Sequence, residues 1–222
     1  MDRKDWLNQQ RREAEERYSN WWAPLYDEKY GLYPNASHQD YMQKFLRLLA
    51  GPGTVLDAAC GAGRYVPMLL EKGHSVVGID QAQGMLDKAK SKFPTVHVEK
   101  IGLQEISYSE VFDGAICMDA LEHVCPEDWL PIFENFQRAL KPGGYLYFTV
   151  EIASEDEVKL AFQQGQELGL PIIYGEWPNN DDVYHFYPSM SQVREWLLQA
   201  GLKLVEEDEG DGYHHFVARK VD

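Results

Sequence analysis

The chain has 222 residues, which is enough to bury the core of a single domain with a terminal appendage. It carries 21 Lys and Arg against 36 Asp and Glu, and this formal net charge of −15 argues against a nucleic acid or an anionic membrane surface as a partner. Neither a secretory signal nor an apolar run long enough to cross a bilayer is visible, so we expect a cytoplasmic protein with no membrane partner.

The N-terminal part of the chain is predicted to be helical. Tyr41, Phe45 and Leu49 recur at the three-and-four spacing of one apolar helix face. A Gly-Pro-Gly run follows and ends that helix. We therefore expect an N-terminal helical cap over residues 1–50 and the main domain over residues 51–222.

Short apolar runs then alternate with helical stretches. The predicted strands lie near residues 55–56, 76–79, 95–101, 112–118 and 145–150. The predicted helices run from about residue 64 to 73, from 81 to 93 and from 126 to 140, and a Lys-Pro-Gly-Gly run at 141–144 predicts a break before the last strand. Strands that alternate with helices predict an α/β fold with a doubly wound parallel sheet.

The C-terminal third is less regular at first. Residues 152–188 mix a polar helical stretch with prolines, acidic residues and aromatic residues, which indicates an insertion or a substrate lid. Ser189 and Gln192 then form a capping box that starts a helix ending at Gly201. Residues 202–207 and 213–220 are predicted to pair as a hairpin, which adds an antiparallel strand to the sheet.

The stretch 54-TVLDAACGAGRYVPMLLEKGHSVVGID-80 places a carboxylate at the end of two successive strands. In such a sheet, ligands bind beyond the carboxyl ends of the strands, and an acid that ends the second strand can accept both hydroxyls of a ribose. Val66 stands where a dinucleotide fingerprint has its third glycine, which argues against a pyrophosphate. Asp57 would repel a phosphate but suits an ammonium group. A nucleoside with an amino acid tail, S-adenosylmethionine, fits these constraints.

The segments VLDAACGAGR, VVGIDQAQGMLDKAK, VFDGAICMDALEHV and LKPGGYLYFTVE resemble, in order and spacing, those of class I S-adenosylmethionine-dependent methyltransferases of the small-molecule group. The resemblance covers about residues 50–151. It implies a Rossmann-like, seven-stranded sheet of order 3-2-1-4-5-7-6 with the last strand antiparallel. The product of the cofactor would be S-adenosylhomocysteine.

The resemblance also implies cofactor contacts at particular positions. Asp57, Ala59, Gly61 and Gly63 would surround the methionine moiety, Asp80 would bind the ribose, and the remaining predicted contacts are Gln81, Met85, Leu103, Gln104 and Asp119. Ala59 replaces the usual first glycine, and Leu103 replaces an acid that often meets the adenine amino group. Arg64 has two interpretations, a partner of the cofactor carboxylate or a surface ion pair.

Residues on the acceptor side are predicted from their chemistry. His123 and His185 are candidate general bases, with hydrogen-bonded structural roles as the alternative. The candidate substrate residues are Tyr18, Trp22, Tyr26, Tyr33, Glu151 and Tyr184, and the N-terminal aromatics among them have a packed cap as their alternative role. We predict no metal site, because Asp119, Glu122 and His123 lack a known ligand spacing.

The sequence therefore predicts S-adenosylmethionine-dependent methyl transfer to a small-molecule acceptor, with O-, N- and C-methylation all open. Two alternatives are an NAD(P)-dependent oxidoreductase, which Val66 disfavours, and a module that holds S-adenosylmethionine without turnover. We expect a monomer or a homodimer. The cysteines, Cys60, Cys117 and Cys125, form no paired zinc spacing and are expected to be reduced.

Overall fold

A computed structural model describes residues 1–30, 35–180 and 183–221. Its main sheet contains β1 (Thr54–Ala58), β2 (Ser75–Asp80), β3 (His97–Lys100), β4 (Phe112–Cys117), β5 (Leu140–Glu151), β8 (Leu202–Gly210) and β9 (Tyr213–Lys220). The order across the sheet is β3-β2-β1-β4-β5-β9-β8, and β9 runs antiparallel to both of its neighbours. When these seven strands are numbered alone, the order is 3-2-1-4-5-7-6. The predicted fold class is confirmed.

Helices cover both faces of this sheet. They are α1 (Arg3–Arg17), α2 (Ala23–Tyr30), α3 (Ala36–Leu48), α4 (Val66–Glu71), α5 (Gln83–Lys92), α6 (Trp129–Ala139), α7 (Glu155–Glu167) and α8 (Met190–Gln199), and a π-helical turn, Tyr18–Trp22, joins α1 to α2. Alternate residues of β4 serve the two faces, since Ala115 and Cys117 pack in the core beneath α6 while Ile116 packs with Phe45 of α3. Burial on both faces is what a central parallel strand requires.

Local sequence signals fix several helix ends. Ser189 forms the predicted capping box: its hydroxyl accepts the Gln192 N–H at 3.3 Å, and the Gln192 side chain accepts the Ser189 N–H at 2.9 Å. Pro67 lies in the first turn of α4, where its missing N–H costs nothing. These positions explain why α4 and α8 begin where the sequence predicted.

The predicted stop of the helix before residue 141 is confirmed, but the strand starts at Leu140 and not at residue 145. Helix α6 ends at Ala139, and β5 begins at Leu140, which pairs with Phe112. The pairing then shifts register before Gly114 meets Tyr145, and Gly143 has a φ of 74° within that irregularity. Leu140 is fully buried, so the sheet gains a buried side chain by continuing through the glycines.

The region 152–188 has regular structure of its own. It contains α7 and a separate two-stranded sheet, β6 (Glu176–Asn180) and β7 (Val183–Phe186). The domain boundary at residue 50 and the assignment of 152–188 as a substrate lid or insertion stay predictions. In the ranges that the structure describes, no helix has the length and apolar character needed to span a membrane. The cysteines are free thiols, as predicted.

Candidate active site

The loop between β1 and α4 turns tightly at the carboxyl edge of the sheet. Ala59, Gly61 and Gly63 have φ angles of 56°, 52° and 77°. Glycine adopts such angles without strain, whereas Ala59 bears the cost of a side chain in the left-handed region. A Cβ on Gly61 would lie 3.1 Å from the Met85 side chain, and one on Gly63 would lie 2.9 Å from the Phe93 ring. The loop backbone therefore lies directly against α5 and its C-terminal cap.

Asp80 ends β2 and anchors this loop. One carboxylate oxygen accepts the Gly61 N–H at 2.9 Å, and the other accepts the Ala82 N–H at 2.8 Å. Burial raises the pKa of Asp80 above its ordinary value, while the backbone hydrogen bonds oppose that shift. Asp80 thus joins the end of β2 to the loop above β1.

Asp57 lies deeper, near the end of β1. The residue is 1% exposed, and its Oδ2 has no hydrogen-bond partner. Burial, and after it the charge of Asp80, raises the pKa of Asp57 to about 8. An unpartnered buried carboxyl disfavours the folded chain, and a cationic ligand group nearby would offset that cost.

We expect Asp57→Asn to stabilise the ligand-free protein at pH 8. Because its folded-state pKa is raised, Asp57 holds a proton between about pH 4 and pH 8 that the unfolded chain releases, and wild-type stability falls as the pH rises through this window. At 1.36 kcal/mol per pH unit, the asparagine variant should gain roughly 2–4 kcal/mol between pH 5 and pH 8.

Urea unfolding at both pH values measures this gain. The matched control is Asp87→Asn on the exposed side of α5, which should change stability little at either pH. An Asp57→Asn variant that is no more stable than wild type at pH 8 contradicts the assignment of a costly buried carboxyl.

A cavity opens at this edge of the sheet. Of the residues predicted to contact the cofactor, those that line it are Ala59, Gly61, Arg64, Asp80, Gln81, Met85, Leu103, Gln104 and Asp119. Asp57 and Gly63 are not among the lining residues. The structure thus brings most of the predicted cofactor residues to one space, and their individual contacts with the cofactor stay predictions.

Sequence analysis missed one wall of the cavity, which α1 supplies. The α1 residues that line it are Leu7, Asn8, Gln10, Arg11 and Ala14. Helix α1 is rich in charged and amide residues and shows no broad apolar stripe, so no pattern marked it as part of a site. Asp128, which precedes α6, was also missed: it lines the cavity and accepts a hydrogen bond from Gln104 Nε2 at 3.1 Å.

Asp119 follows β4 and lines the cavity. Its φ of 51° is unusual for a residue with a side chain, and its N–H donates to Thr149 Oγ1 at 2.9 Å. Arg64 lies 3.4 Å from its carboxylate, and the Tyr65 hydroxyl donates to it at 3.3 Å. Burial raises the pKa of Asp119 to about 6, although Arg64 opposes the shift.

His123, a predicted general base, lines the cavity with both ring nitrogens engaged. Its Nδ1 lies 3.1 Å from the Tyr184 carbonyl oxygen, which can only accept, so Nδ1 carries the proton. Nε2 is therefore the acceptor for the Tyr18 hydroxyl at 2.8 Å. Burial, and secondarily His185, lowers the pKa of His123 to about 3. His123 is a neutral ring that holds Tyr18 in the cavity wall.

His185, the second candidate base, lies behind His123 and does not line the cavity. The two ring centroids are 4.6 Å apart, and His185 Nδ1 contacts the Val183 carbonyl at 3.2 Å. Burial lowers its pKa to about 4. Across residues 1–30, 35–180 and 183–221, no group of three or more His, Cys, Asp or Glu is arranged to hold a metal ion.

The candidate substrate residues divide between the cavity and its surroundings. Tyr18, Tyr26 and Tyr184 line it. Trp22 does not line the cavity. Its ring makes a cation–π contact with the Lys29 ammonium, which lies 3.8 Å from the ring centroid. Glu151 lies outside the lining, where it accepts the Tyr187 hydroxyl at 3.0 Å. Tyr33 falls outside the described residues.

Arg3 joins the N-terminal helix to the 152–188 region. It makes two contacts with the buried carboxylate of Glu176, at 2.9 and 3.0 Å, and one with the Pro171 carbonyl at 2.7 Å. The Tyr184 hydroxyl donates to the same carboxylate at 2.7 Å, and the Trp6 and Tyr184 rings pack edge to face at 5.9 Å. The N-terminal helix and the 152–188 region therefore meet above the cavity.

We expect Arg3→Met to lower the free energy of unfolding by about 1–3 kcal/mol, because it leaves the buried Glu176 carboxylate with fewer charged hydrogen bonds. Urea unfolding measures the loss, and Arg12→Met on the exposed side of α1 is the control. In a double-mutant cycle, Glu176→Gln should remove most of the effect of Arg3→Met. Additive effects would show that the pair does not couple the flanks.

Comparison with known proteins identifies the family. A family model described as "Methyltransferase domain" matches residues 55–144. A ubiquinone biosynthesis O-methyltransferase of Histophilus somni is 30% identical over 193 residues, which cover 82% of this chain and 78% of that protein. The chain belongs to the class I S-adenosylmethionine-dependent methyltransferases. The cofactor is therefore S-adenosylmethionine, and this assignment replaces the NAD(P)-dependent alternative.

Solved structures share the fold of this methyltransferase. The 1,6-didemethyltoxoflavin-N1-methyltransferase of Burkholderia thailandensis, crystallised with S-adenosylhomocysteine, superposes with a TM-score of 0.69 at 20% identity, over 94% of this chain and 89% of that chain. Magnesium protoporphyrin IX methyltransferase from Synechocystis, also with bound S-adenosylhomocysteine, gives 0.68 at 14% identity, over 95% and 98% of the two chains. Both likenesses support the fold.

Proposed function

We propose that the enzyme methylates a small-molecule acceptor held between the N-terminal helices and the carboxyl ends of β4 and β5. One observation carries this proposal. The cavity that Asp80 and Gly61 line is also lined by Tyr18, Tyr26 and His123, so cofactor and acceptor residues share one space.

The residues present suit S-adenosylmethionine. The Asp80 carboxylate is placed for the ribose hydroxyls, and the bare backbone at Gly61 admits the methionine moiety. Asp57, whose Oδ2 has no partner, gives the amino acid end a favourable charge. Leu103 and Gln104 border the adenine end, where Gln104 is fixed by Asp128.

When bound, the cofactor supplies an electrophilic methyl group on a sulfonium. The chain must hold the acceptor against that methyl and keep water away from it. Tyr18, fixed by its bond to His123, and Tyr26 provide the wall on the acceptor side. With a pKa of about 3, His123 is too weak a base to accept a proton from the acceptor at neutral pH. Its role here is to position Tyr18.

The two flanks of the core, residues 1–35 and 152–188, are proposed to build the acceptor pocket together, with the second flank forming a lid within the methyltransferase domain, residues 51–222. The contacts of Arg3 and Trp6 with Glu176 and Tyr184 support this arrangement. Tyr26→Ala is then expected to reduce turnover more than it reduces thermal stability. Unchanged turnover in that variant would contradict the shared pocket.

A small acceptor, rather than a nucleic acid, is supported by the net charge of −15. The relatives named above include an O- and an N1-methyltransferase, and their names leave the acceptor atom open. The proposal also places the enzyme in the cytoplasm as a monomer or a homodimer. Salt-sensitive retention of tRNA at micromolar protein would overturn the exclusion of nucleic acids.

The deciding experiment supplies a methyl-labelled donor and a small-metabolite extract to the pure enzyme. Label should appear in a small molecule with wild type and be reduced strongly with Asp80→Ala. Calorimetry in parallel should show binding of S-adenosylhomocysteine and none of NAD. Cofactor binding with no labelled product from extracts of several sources would favour a module that holds the cofactor without turnover.

A further inference from the structure

His38 is a fully buried histidine in the first turn of α3, and the site described above does not use it. The start of this helix is held at two points. The Asn35 side chain accepts the His38 N–H at 3.0 Å, and Asp211, between β8 and β9, accepts the Ser37 N–H at 2.9 Å. The ring of His38 therefore has a fixed place in the interior.

The ring is connected to the cavity through Tyr65. His38 Nδ1 lies 2.7 Å from the Tyr65 hydroxyl oxygen, and that hydroxyl lies 3.3 Å from Asp119 Oδ2. His38 Nδ1 also lies 3.5 Å from Asp119 Oδ1. Tyr65 and Asp119 line the cavity, and the Asp119 side chain keeps 20% of its exposure. We call these three side chains the His38 network.

The hydrogen bonds of the His38 network can run in one direction only. Asp119 has a pKa of about 6, so at pH 7 it is a carboxylate that accepts from the Tyr65 hydroxyl. Burial, and after it the charge of Asp119, raises the pKa of Tyr65 well above its ordinary value, so the phenol keeps its proton. The Tyr65 oxygen must then accept from His38, and Nδ1 carries the proton.

This direction leaves His38 Nε2 without a proton and without a partner. Burial, and secondarily His215, lowers the pKa of His38 to about 3, so the ring is neutral and has a single proton to place. Within residues 1–30, 35–180 and 183–221, the buried Nε2 has no hydrogen-bond partner. An unpaired buried nitrogen disfavours folding, and a leucine of similar size would avoid that cost. Packing alone therefore does not account for a histidine here, whereas the hydrogen bond to Tyr65 does.

The surroundings of Asp119 show what the His38 network adds. The ionisable groups that face this carboxyl are Arg64, Tyr65, His38 of α3, Tyr26 of α2, Tyr147 and Glu151 of β5, and Tyr213 of β9. Arg64 supplies the positive charge in this set, and Glu151 opposes the charged form of Asp119. Arg64 is shared, since it also donates to the Tyr30 carbonyl at 2.7 Å. Donors from Tyr65 and His38 thus give the Asp119 carboxylate a second support.

We propose that His38 is a positioning residue for methyl transfer, which acts through Tyr65 to orient the Asp119 carboxylate in the cavity that holds the cofactor. This inference rests on the proposed function, which assigns S-adenosylmethionine to that cavity. An oriented carboxylate favours the positive charge of S-adenosylmethionine. His38 touches neither cofactor nor acceptor, and its action is therefore separate from that of His123, which holds Tyr18.

Carbon-13 NMR of protein labelled at the aspartate carboxyl groups tests whether His38 acts on Asp119. The Asp119 resonance is identified by its loss in Asp119→Asn, and in wild type it should titrate near pH 6. His38→Leu removes a donor that favours the charged form, so the titration should move upward by about 0.5 pH unit or more. His38→Asn places an amide Nδ2 close to the position of Nδ1 and should restore the wild-type titration. His97→Leu is the control, because the His97 side chain is 62% exposed on β3.

Calorimetry with S-adenosylmethionine at pH 7 tests the consequence for the site. His38→Leu should weaken binding by about threefold to tenfold, and His38→Asn should bind nearly as wild type does. In a double-mutant cycle, His38→Leu should have little further effect in the Asp119→Asn background. A role in packing alone would lower stability but would produce neither the rescue by asparagine nor the dependence on Asp119.

The outcomes separate this inference from the proposed function. Failure of wild type to bind S-adenosylmethionine contradicts the proposed function and with it the inference. Normal wild-type binding overturns the inference alone if His38→Leu leaves the Asp119 titration or the affinity unchanged, or if its effect adds to that of Asp119→Asn. If His38→Leu does not fold, Tyr65→Phe breaks the network at its next bond and should give the same upward titration and weaker binding.

Discussion

Replacing Asp80 with alanine is expected to weaken S-adenosylhomocysteine binding about a hundredfold or more. The variant loses the proposed ribose contacts and also the bonds to the Gly61 and Ala82 N–H groups that hold the loop above β1. Hydrogen bonds to a charged acceptor contribute about 1.5–3 kcal/mol each, so the loss of two corresponds to about a hundredfold in affinity or more.

Titration calorimetry measures the change, and circular dichroism confirms that the variant is folded. Asp87→Ala removes a carboxylate from the exposed side of α5 and should keep the wild-type affinity. An unchanged dissociation constant in a folded Asp80→Ala protein would show that the cofactor binds elsewhere.

Gly84→Ala should reduce turnover at least a hundredfold while leaving the sheet intact. A Cβ at this position in α5 would lie 2.1 Å from the Ser19 carbonyl oxygen and 3.0 Å from Ser19 Cα, and backbone atoms cannot rotate away. The π-helical turn would have to move off α5, which breaks the bond between Tyr18 and His123. That opens the acceptor wall to water.

The helix itself favours alanine over glycine by about 1 kcal/mol, so a fall in thermal stability or activity would come from the displaced turn. Initial rates with the identified acceptor measure the effect, and Ser91→Ala on the exposed side of the same helix is the control. Wild-type turnover in Gly84→Ala would mean that the contact between the turn and α5 is dispensable.

The central sheet was predictable because each of its strands has a signal in its own stretch of sequence. Apolar runs such as 76–79 end in a carboxylate or a turn, and the intervening helices carry an apolar face and a stop signal. The same strand ends place Asp57 and Asp80 at one edge by topology, whereas the other cofactor positions, Asp119 among them, were implied by the family resemblance.

The N-terminal wall was not predictable from such patterns. Helix α1 buries only Trp6 and Ala14, and it is held by polar contacts such as Arg3 to Glu176, which join residues 173 positions apart. A pairing of that kind leaves no periodic signal in the sequence. The continuation of β5 through the glycines at 143 and 144 was not predictable for a similar reason. The start of β5 at Leu140 depends on its pairing with the neighbouring strand β4, which the local sequence does not show.

The neutral histidines of the active site change how a pH–rate profile should be interpreted. An acid limb near pH 6 in kcat/KM is usually assigned to a histidine, since that is where imidazole titrates when exposed. Here burial keeps His123 and His185 uncharged down to about pH 3 and pH 4, whereas Asp119 takes up its proton near pH 6. The limb should therefore survive His123→Asn at a lower plateau and shift with Asp119→Asn or Asp57→Asn, so the acid side of the profile reports buried carboxyls and not a histidine.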